Sequence, residues 1–120
     1  MKRRSDCPIS CWLDLFGDKW TLLIIRDILI FEKKNYKDFI QAEEKISTNI
    51  LADRLKKLVE HGVLTKRSDT KNRLLFNYAI TERGKRIAPI LMQITQWSND
   101  YIPETNTFAN LVKKKRKLNA

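Results

Sequence analysis

The chain is expected to form a mainly α fold (α+β) with one small β-hairpin, and three observations lead there. Ile46 to Leu64, ISTNILADRLKKLVEHGVL, has apolar residues at helical spacing between a start and a stop signal. After Gly62 the apolar pattern changes from helical to alternating. Three further stretches, two before this segment and one after it, carry apolar stripes at spacings of three and four.

Projected at ~100° per residue, the Ile46 to Leu64 segment places Ile50, Leu51, Leu55, Leu58 and Val59 on one flank and Asn49, Asp53, Lys56 and Glu60 opposite. Ser47 suits the N-cap and Gly62 the left-handed residue that ends the helix. The side chains left outward in its first half, Thr48, Asn49, Ala52, Asp53 and Lys56, are short or flexible, as on a helix entering a DNA major groove. A plain solvated face is the alternative for the helix in isolation.

Length and charge set the bounds. With 120 residues, the chain can bury one core. It carries 24 Lys and Arg against 14 Asp and Glu, a formal net charge of +10. Such an excess favours polyanions without choosing between DNA, RNA and an anionic membrane surface. No apolar run reaches the ~18 residues that span a bilayer, and no signal-peptide core follows Met1 to Asp6, so a cytoplasmic protein without membrane partners is expected. Two cysteines in a reducing compartment are no structural staple.

In order along the chain, a basic tip of Lys2 to Arg4 leads to Pro8, which fits the first position of a helix that Gly17 ends. Ile9, Trp12, Leu13 and Phe16 form its stripe, and so short a helix must dock on the core or on a second copy. Asp18 to Phe31 reads as a buried central helix with Asp18 as N-cap, a buried strand being the rival for LLIIRDILI. Asn35 caps a short helix bearing Tyr36, Phe39 and Ile40, with Asp38 in its first turn. That helix, the polar turn Glu43 to Lys45 and the amphipathic helix make a helix-turn-helix. Leu64 to Arg67 and Leu74 to Ile80 read as paired strands, with Phe76, Tyr78 and Ile80 on one face and the basic turn Ser68 to Arg73 between them. Such a hairpin behind a helix-turn-helix makes a winged helix, whose tip touches phosphates or the neighbouring minor groove.

Thr81 is expected to cap a last helix running to about Ile102, bent or weakened by one turn at Pro89, with a stripe of Ile87, Leu91, Ile94, Trp97 and Tyr101. A stripe this long, in a domain whose core is already supplied, points to a dimer surface, packing in the monomer's own core being the alternative. Residues 1–102 are therefore read as one DNA-binding and dimerisation domain. Residues 103–120, which lose periodicity and include the run KKKRK at Lys113 to Lys117, read as a basic mobile tail.

Over roughly Cys7 to Tyr101 the chain resembles the HxlR-type winged-helix regulators. The matching pieces are Cys7-Pro8, GDKWT from Gly17 leading into Leu22 to Leu29, Tyr36 to Phe39, Ile46-Ser47, Leu51, Arg54-Leu55, Leu58, Gly62, YAITERG from Tyr78 and Trp97. The turn EEKIS lacks the Pro-Gly common before the recognition helix, and SDTKNR lacks the usual wing prolines. The resemblance implies a homodimeric DNA-binding transcription factor whose first and last helices pair the subunits.

These readings make Tyr36, Lys37, Ser47, Thr48, Asn49, Ala52, Asp53, Arg54, Lys56, Lys57, Lys71, Asn72 and Arg73 the candidate DNA-contacting residues. Ile9, Trp12, Phe16, Leu91, Ile94, Trp97 and Tyr101 are the candidate dimer interface. The expected partners are a second copy and double-stranded DNA, as a pseudo-palindromic operator with half-sites about one helical turn apart. Asn49 suits adenine, and Asp53 suits cytosine or a pair with Lys57. A repressor or autoregulator is favoured over a module that binds nucleic acid without reading sequence. His61, read as a helix-end residue, has no second metal ligand in reach, and Cys7 with Cys11 supplies only two, so no metal, cofactor or catalytic role is expected. Cys7, at a helix start where free amides and Lys2, Arg3 and Arg4 favour a thiolate, is a candidate redox or electrophile sensor, the alternative being a residue that caps and packs. Some HxlR-type regulators respond to oxidants through the matching cysteine.

Overall fold

The computed structural model describes residues 3–118, with side chains described as far as Lys113. The predicted contributions of Lys2 and of the side chains in Lys114 to Lys117 lie outside the described residues. Helices α1 (Pro8–Phe16), α2 (Thr21–Leu29), α3 (Tyr36–Ile40) and α4 (Thr48–Glu60) precede strands β1 (Leu64–Ser68) and β2 (Phe76–Ile80). Helices α5 (Glu82–Lys85), α6 (Ala88–Tyr101) and α7 (Phe108–Leu118) follow. This is the winged helix-turn-helix that the periodicities predict.

The core forms around α2, whose Ile24, Ile25 and Ile28 are buried together with Phe39 of α3, Leu51, Leu55 and Leu58 of α4, and Leu64 and Tyr78 of the hairpin. The central helix is shorter than expected and its N-cap is Trp20 instead of Asp18, but Asp18, two residues ahead, accepts from the amides of Trp20 (2.8 Å) and Thr21 (3.0 Å) at the helix start. Asn35 caps α3 by accepting from Asp38 N (3.0 Å), and Ser47 caps α4 by accepting from Ile50 N (3.3 Å). Gly62 ends α4 with φ +73°, and the C-terminal glycine of α1, Gly17, sits where a Cβ would meet Leu13 O at 2.3 Å. The turn before α4 lacks glycine, and Lys45 itself adopts the left-handed conformation at φ 58°, which costs a non-glycine residue roughly 1 kcal/mol.

The strands pair antiparallel with Leu64 opposite Ile80 and Ser68 opposite Phe76. Pairing on the second strand starts at Phe76 instead of Leu74, because the tip closes on itself: Asp69 N donates to Leu75 O (2.8 Å) and Leu75 N to Asn72 O (3.0 Å). Of the three residues expected on one face of that strand, Tyr78 is buried and Ile80 half-buried, whereas Phe76 is exposed under the Lys66 ammonium at 4.2 Å.

Two expectations for the C-terminal part are corrected. The predicted helix from Thr81 to Ile102 is two helices, broken at Arg86 and Ile87. Proline has no N–H to give and its ring would collide with the carbonyl four residues back, so the chain restarts with Pro89 in the first turn of α6. Thr81 caps only α5, accepting from Gly84 N at 3.1 Å. The segment after Pro103 is not aperiodic, since α7 starts there with Thr107 Oγ1 accepting from Asn110 N (3.2 Å) and with Leu111 and Val112 half-buried.

Candidate nucleic-acid interface

Two opposed demands set the geometry of α4. Leu51, Leu55 and Leu58 are buried on α2 and α3, so the opposite side must face out. Thr48, Asn49, Ala52, Asp53, Lys56 and Lys57 are all exposed there. Among the described residues none hydrogen-bonds the Asn49 or Lys56 side chain. Ser47 is exposed too, but its hydroxyl is spent on the cap. In α3, Lys37 is exposed, whereas Tyr36 is half-buried with its ring 6.4 Å from that of Tyr78 and turned toward the core. At the wing tip Lys71, Asn72 and Arg73 are exposed.

Arg54, also a candidate DNA contact, is half-buried and ion-paired within the domain. Its Nε lies 3.1 Å from Asp18 Oδ1 and its Nη1 pairs with Asp53, with only 23% of the side chain exposed. It pins the recognition helix to the N-terminus of α2. Asp18 answers to four partners: burial pushes its carboxyl up, but the Thr21 hydroxyl, the Trp20 and Thr21 amides and the Arg54 guanidinium outweigh this and hold it at about 2. Asp53 is bound by Lys57 at 3.2 Å, and that ammonium together with Arg54 holds its carboxyl below the usual range. The alternative of an Asp53–Lys57 pair is thus the arrangement present.

Sequence reasoning missed two positioning features. Arg26 joins Asp27 (2.7 Å) to Glu44 (2.8 Å) of the helix-turn-helix turn, and Lys33 adds a second cation 3.5 Å from Asp27. This ties the approach to α4 onto α2. At the wing, Asp69 Oδ2 accepts from the amides of Lys71 (3.1 Å) and Asn72 (3.0 Å), and Oδ1 accepts from Asn77 Nδ2 (3.0 Å). Asn77 and these amides hold the Asp69 carboxyl below its usual range. An Asp followed three residues later by Asn was the available signal for such a turn.

The candidate dimer residues divide. Ile9, Ile94, Trp97 and Tyr101 are exposed, whereas Leu91 is half-buried on the core. Phe16 is 7% exposed and belongs to the core, with Trp12 stacked on it at 4.7 Å and also packed inward. Phe16 is therefore withdrawn from the interface set: the end of α1 turns its last aromatic under the domain. Cys7 is the exposed N-cap residue of α1 and makes no side-chain cap, while Cys11 is half-buried and donates to Ser5 O (3.4 Å). The cations expected near Cys7 are shared with carboxylates, Arg3 with Asp6 (3.7 Å) and Arg4 with Asp14 (2.7 Å). His61 ends α4, its carbonyl accepting from Arg83 Nη1 at 2.9 Å. Among the described residues no group of three or more His, Cys, Asp or Glu is placed to hold a metal ion, and no helix is long and apolar enough to cross a membrane.

A pinned helix with a free polar face, backed by a basic wing, defines a winged-helix protein of the DNA-reading class. The chain belongs to the HxlR-like helix-turn-helix family, whose model matches residues 15–106, and it is a DNA-binding transcriptional regulator. It is 28% identical to the helix-turn-helix regulator YvaP of Bacillus subtilis over 85% of this chain and 94% of that one. Among solved structures it resembles PA1607, described as a proposed transcription factor, at 34% identity and TM-score 0.74, covering 87% of this chain and 72% of that chain. It shares its fold with the reduced form of YodB from Bacillus subtilis at 22% identity and TM-score 0.65, covering 85% of this chain and the whole of that chain. YodB has also been solved quinone-bound and diamide-treated.

Proposed function

We propose that the chain acts as a homodimeric repressor or autoregulator that occupies a pseudo-palindromic operator, with each α4 in a major groove and each wing on the flanking backbone. The observation that carries this reading is the exposed, unbonded Asn49 on a helix whose opposite face is buried and whose middle is tied through Arg54 to Asp18. Asn49, Thr48 and Ala52 reach base edges, and Lys37, Lys56, Lys57, Lys71 and Arg73 neutralise phosphates. Arg54 acts as a brace, and Tyr36 supports α3.

Dimerisation is supported by the outer side of α6, where Ile94, Trp97 and Tyr101 are 45%, 60% and 70% exposed, next to a cleft of about 320 Å³ whose lining includes Leu22, Leu23, Ile30 and Leu91. An apolar face of this kind calls for a partner, and two copies align two recognition helices. Cys7 is the redox-responsive residue in this reading, supported by its exposure at a helix start and by the oxidant- and quinone-treated forms in which YodB has been solved.

The test is a titration against a duplex selected from a random pool and against scrambled duplex, at rising salt. Binding to the selected duplex that survives competitor and salt supports the reading; equal affinity for both at every salt concentration refutes it.

A further inference from the structure

The wing carries a feature that phosphate contact leaves unexplained. Leu74, next to Arg73 at its tip, is 88% exposed, and Leu75 and Phe76 beside it are 51% and 41% exposed. The tip is also rigidly held: Asp69 gathers the amides of Lys71 and Asn72 and the Asn77 side chain. Asn72 Oδ1 in turn accepts from Leu74 N itself at 3.1 Å. The backbone that carries this exposed leucine is therefore held by the turn itself.

Its surroundings select the partner. From Leu64 to Ile80 the hairpin carries four cations, Lys66, Arg67, Lys71 and Arg73, against the single carboxylate of Asp69, which the turn itself consumes. An apolar point on a cationic hairpin complements a surface with anionic rims and an apolar floor. The DNA minor groove is such a surface, with phosphates along its edges and deoxyribose walls within. The hairpin is also fixed relative to α4, because Leu64 and Tyr78 are buried in the same core as Leu55 and Leu58.

We infer that Leu74 enters the minor groove flanking the major groove read by α4 and packs on its sugar walls as an apolar wedge, with Arg73 beside it on the groove edge. This rests on the operator-binding reading above. It adds an affinity contribution of different physical character, because apolar contact releases no counterions whereas each phosphate contact does.

The experiment measures affinity for the selected duplex across a salt series, with hydroxyl-radical footprints, for wild type, Leu74→Ser, Leu74→Met and Arg73→Ala. Leu74→Ser is expected to lose about tenfold at every salt concentration with the salt slope unchanged, as removal of one buried aliphatic side chain implies. It is also expected to lose minor-groove protection beside the half-site. Leu74→Met restores both, and Arg73→Ala instead flattens the slope by about one. Equal melting temperatures exclude misfolding, which the exposure of Leu74 makes an unneeded explanation. Wild-type affinity and footprint in Leu74→Ser, or a changed slope, overturns the wedge while leaving operator binding intact. Failure of the wild type itself to prefer the selected duplex overturns the operator reading instead.

Discussion

Replacing Asp18 with asparagine tests how the recognition helix is held. The carboxylate accepts from two amides and the Thr21 hydroxyl and faces Arg54 Nε at 3.1 Å. These contacts bring its pKa from 3.8 to about 2 in the folded chain. That difference is worth roughly 2 kcal/mol before solvent screening and about 1 kcal/mol after it, since the site is partly open. A carboxylate whose pKa is depressed by folding stabilises the fold fully above its unfolded value and loses the contribution as pH falls through the folded one. The substituted side-chain amide keeps one acceptor and has no charge to titrate. Thermal melting of Asp18→Asn is therefore expected about 4 °C below wild type near neutral pH. The gap should close as pH falls from 3.8 to about 2. Arg54→Met should destabilise similarly, and the double variant should fall short of the sum by about 0.5 kcal/mol. If Arg54 is a brace, Arg54→Met also leaves the salt slope of DNA binding unchanged. A melting gap that persists at low pH would refute the charge-based hold on Asp18, and a slope lowered by about one in Arg54→Met would show that Arg54 serves the DNA.

Three further outcomes follow from named contacts. Lys45→Gly should raise stability by about 0.5–1 kcal/mol in denaturant melts, because the left-handed conformation of Lys45 costs glycine nothing. Trp97→Asp, at the exposed ring packed 5.1 Å from that of Tyr101, should sediment as a monomer with unchanged helical content and lose operator affinity, as single half-site contacts no longer add; a wild-type monomer at micromolar concentration contradicts the interface. Diamide or quinone treatment should lower operator affinity in wild type and leave Cys7→Ser unaffected; equal affinity in all four samples would refute a sensor role for Cys7.

The helices with strong stripes were legible because burial of one face leaves its spacing in the sequence. The α4 pattern of Leu51, Leu55 and Leu58 and the caps Ser47, Asn35 and Gly62 all stand as read. The break ahead of Pro89 was not legible because the stripe of Ile87, Leu91, Ile94 and Trp97 lies wholly on the α6 side of it and carries no mark of whether the backbone before it is continuous. The inward turn of Phe16 was hidden for a related reason, since Ile9, Trp12 and Phe16 share one stripe although the core reaches only its C-terminal end. The candidate site was legible as a surface and illegible as a network. Outward position follows from the helical period, but the ion pair from Arg54 to Asp18 joins α4 to the start of α2 and leaves no mark in local spacing.

The central claim, that α4 reads bases through its exposed N-terminal half, is tested most directly by binding-site selection with wild type and Asn49→Ala in parallel. The account predicts that Asn49→Ala binds the same general sites but relaxes preference at one position per half-site, losing roughly 1 to 3 kcal/mol of discrimination there with the salt slope unchanged. An identical selected sequence for both proteins would mean that this face of α4 does not meet the bases.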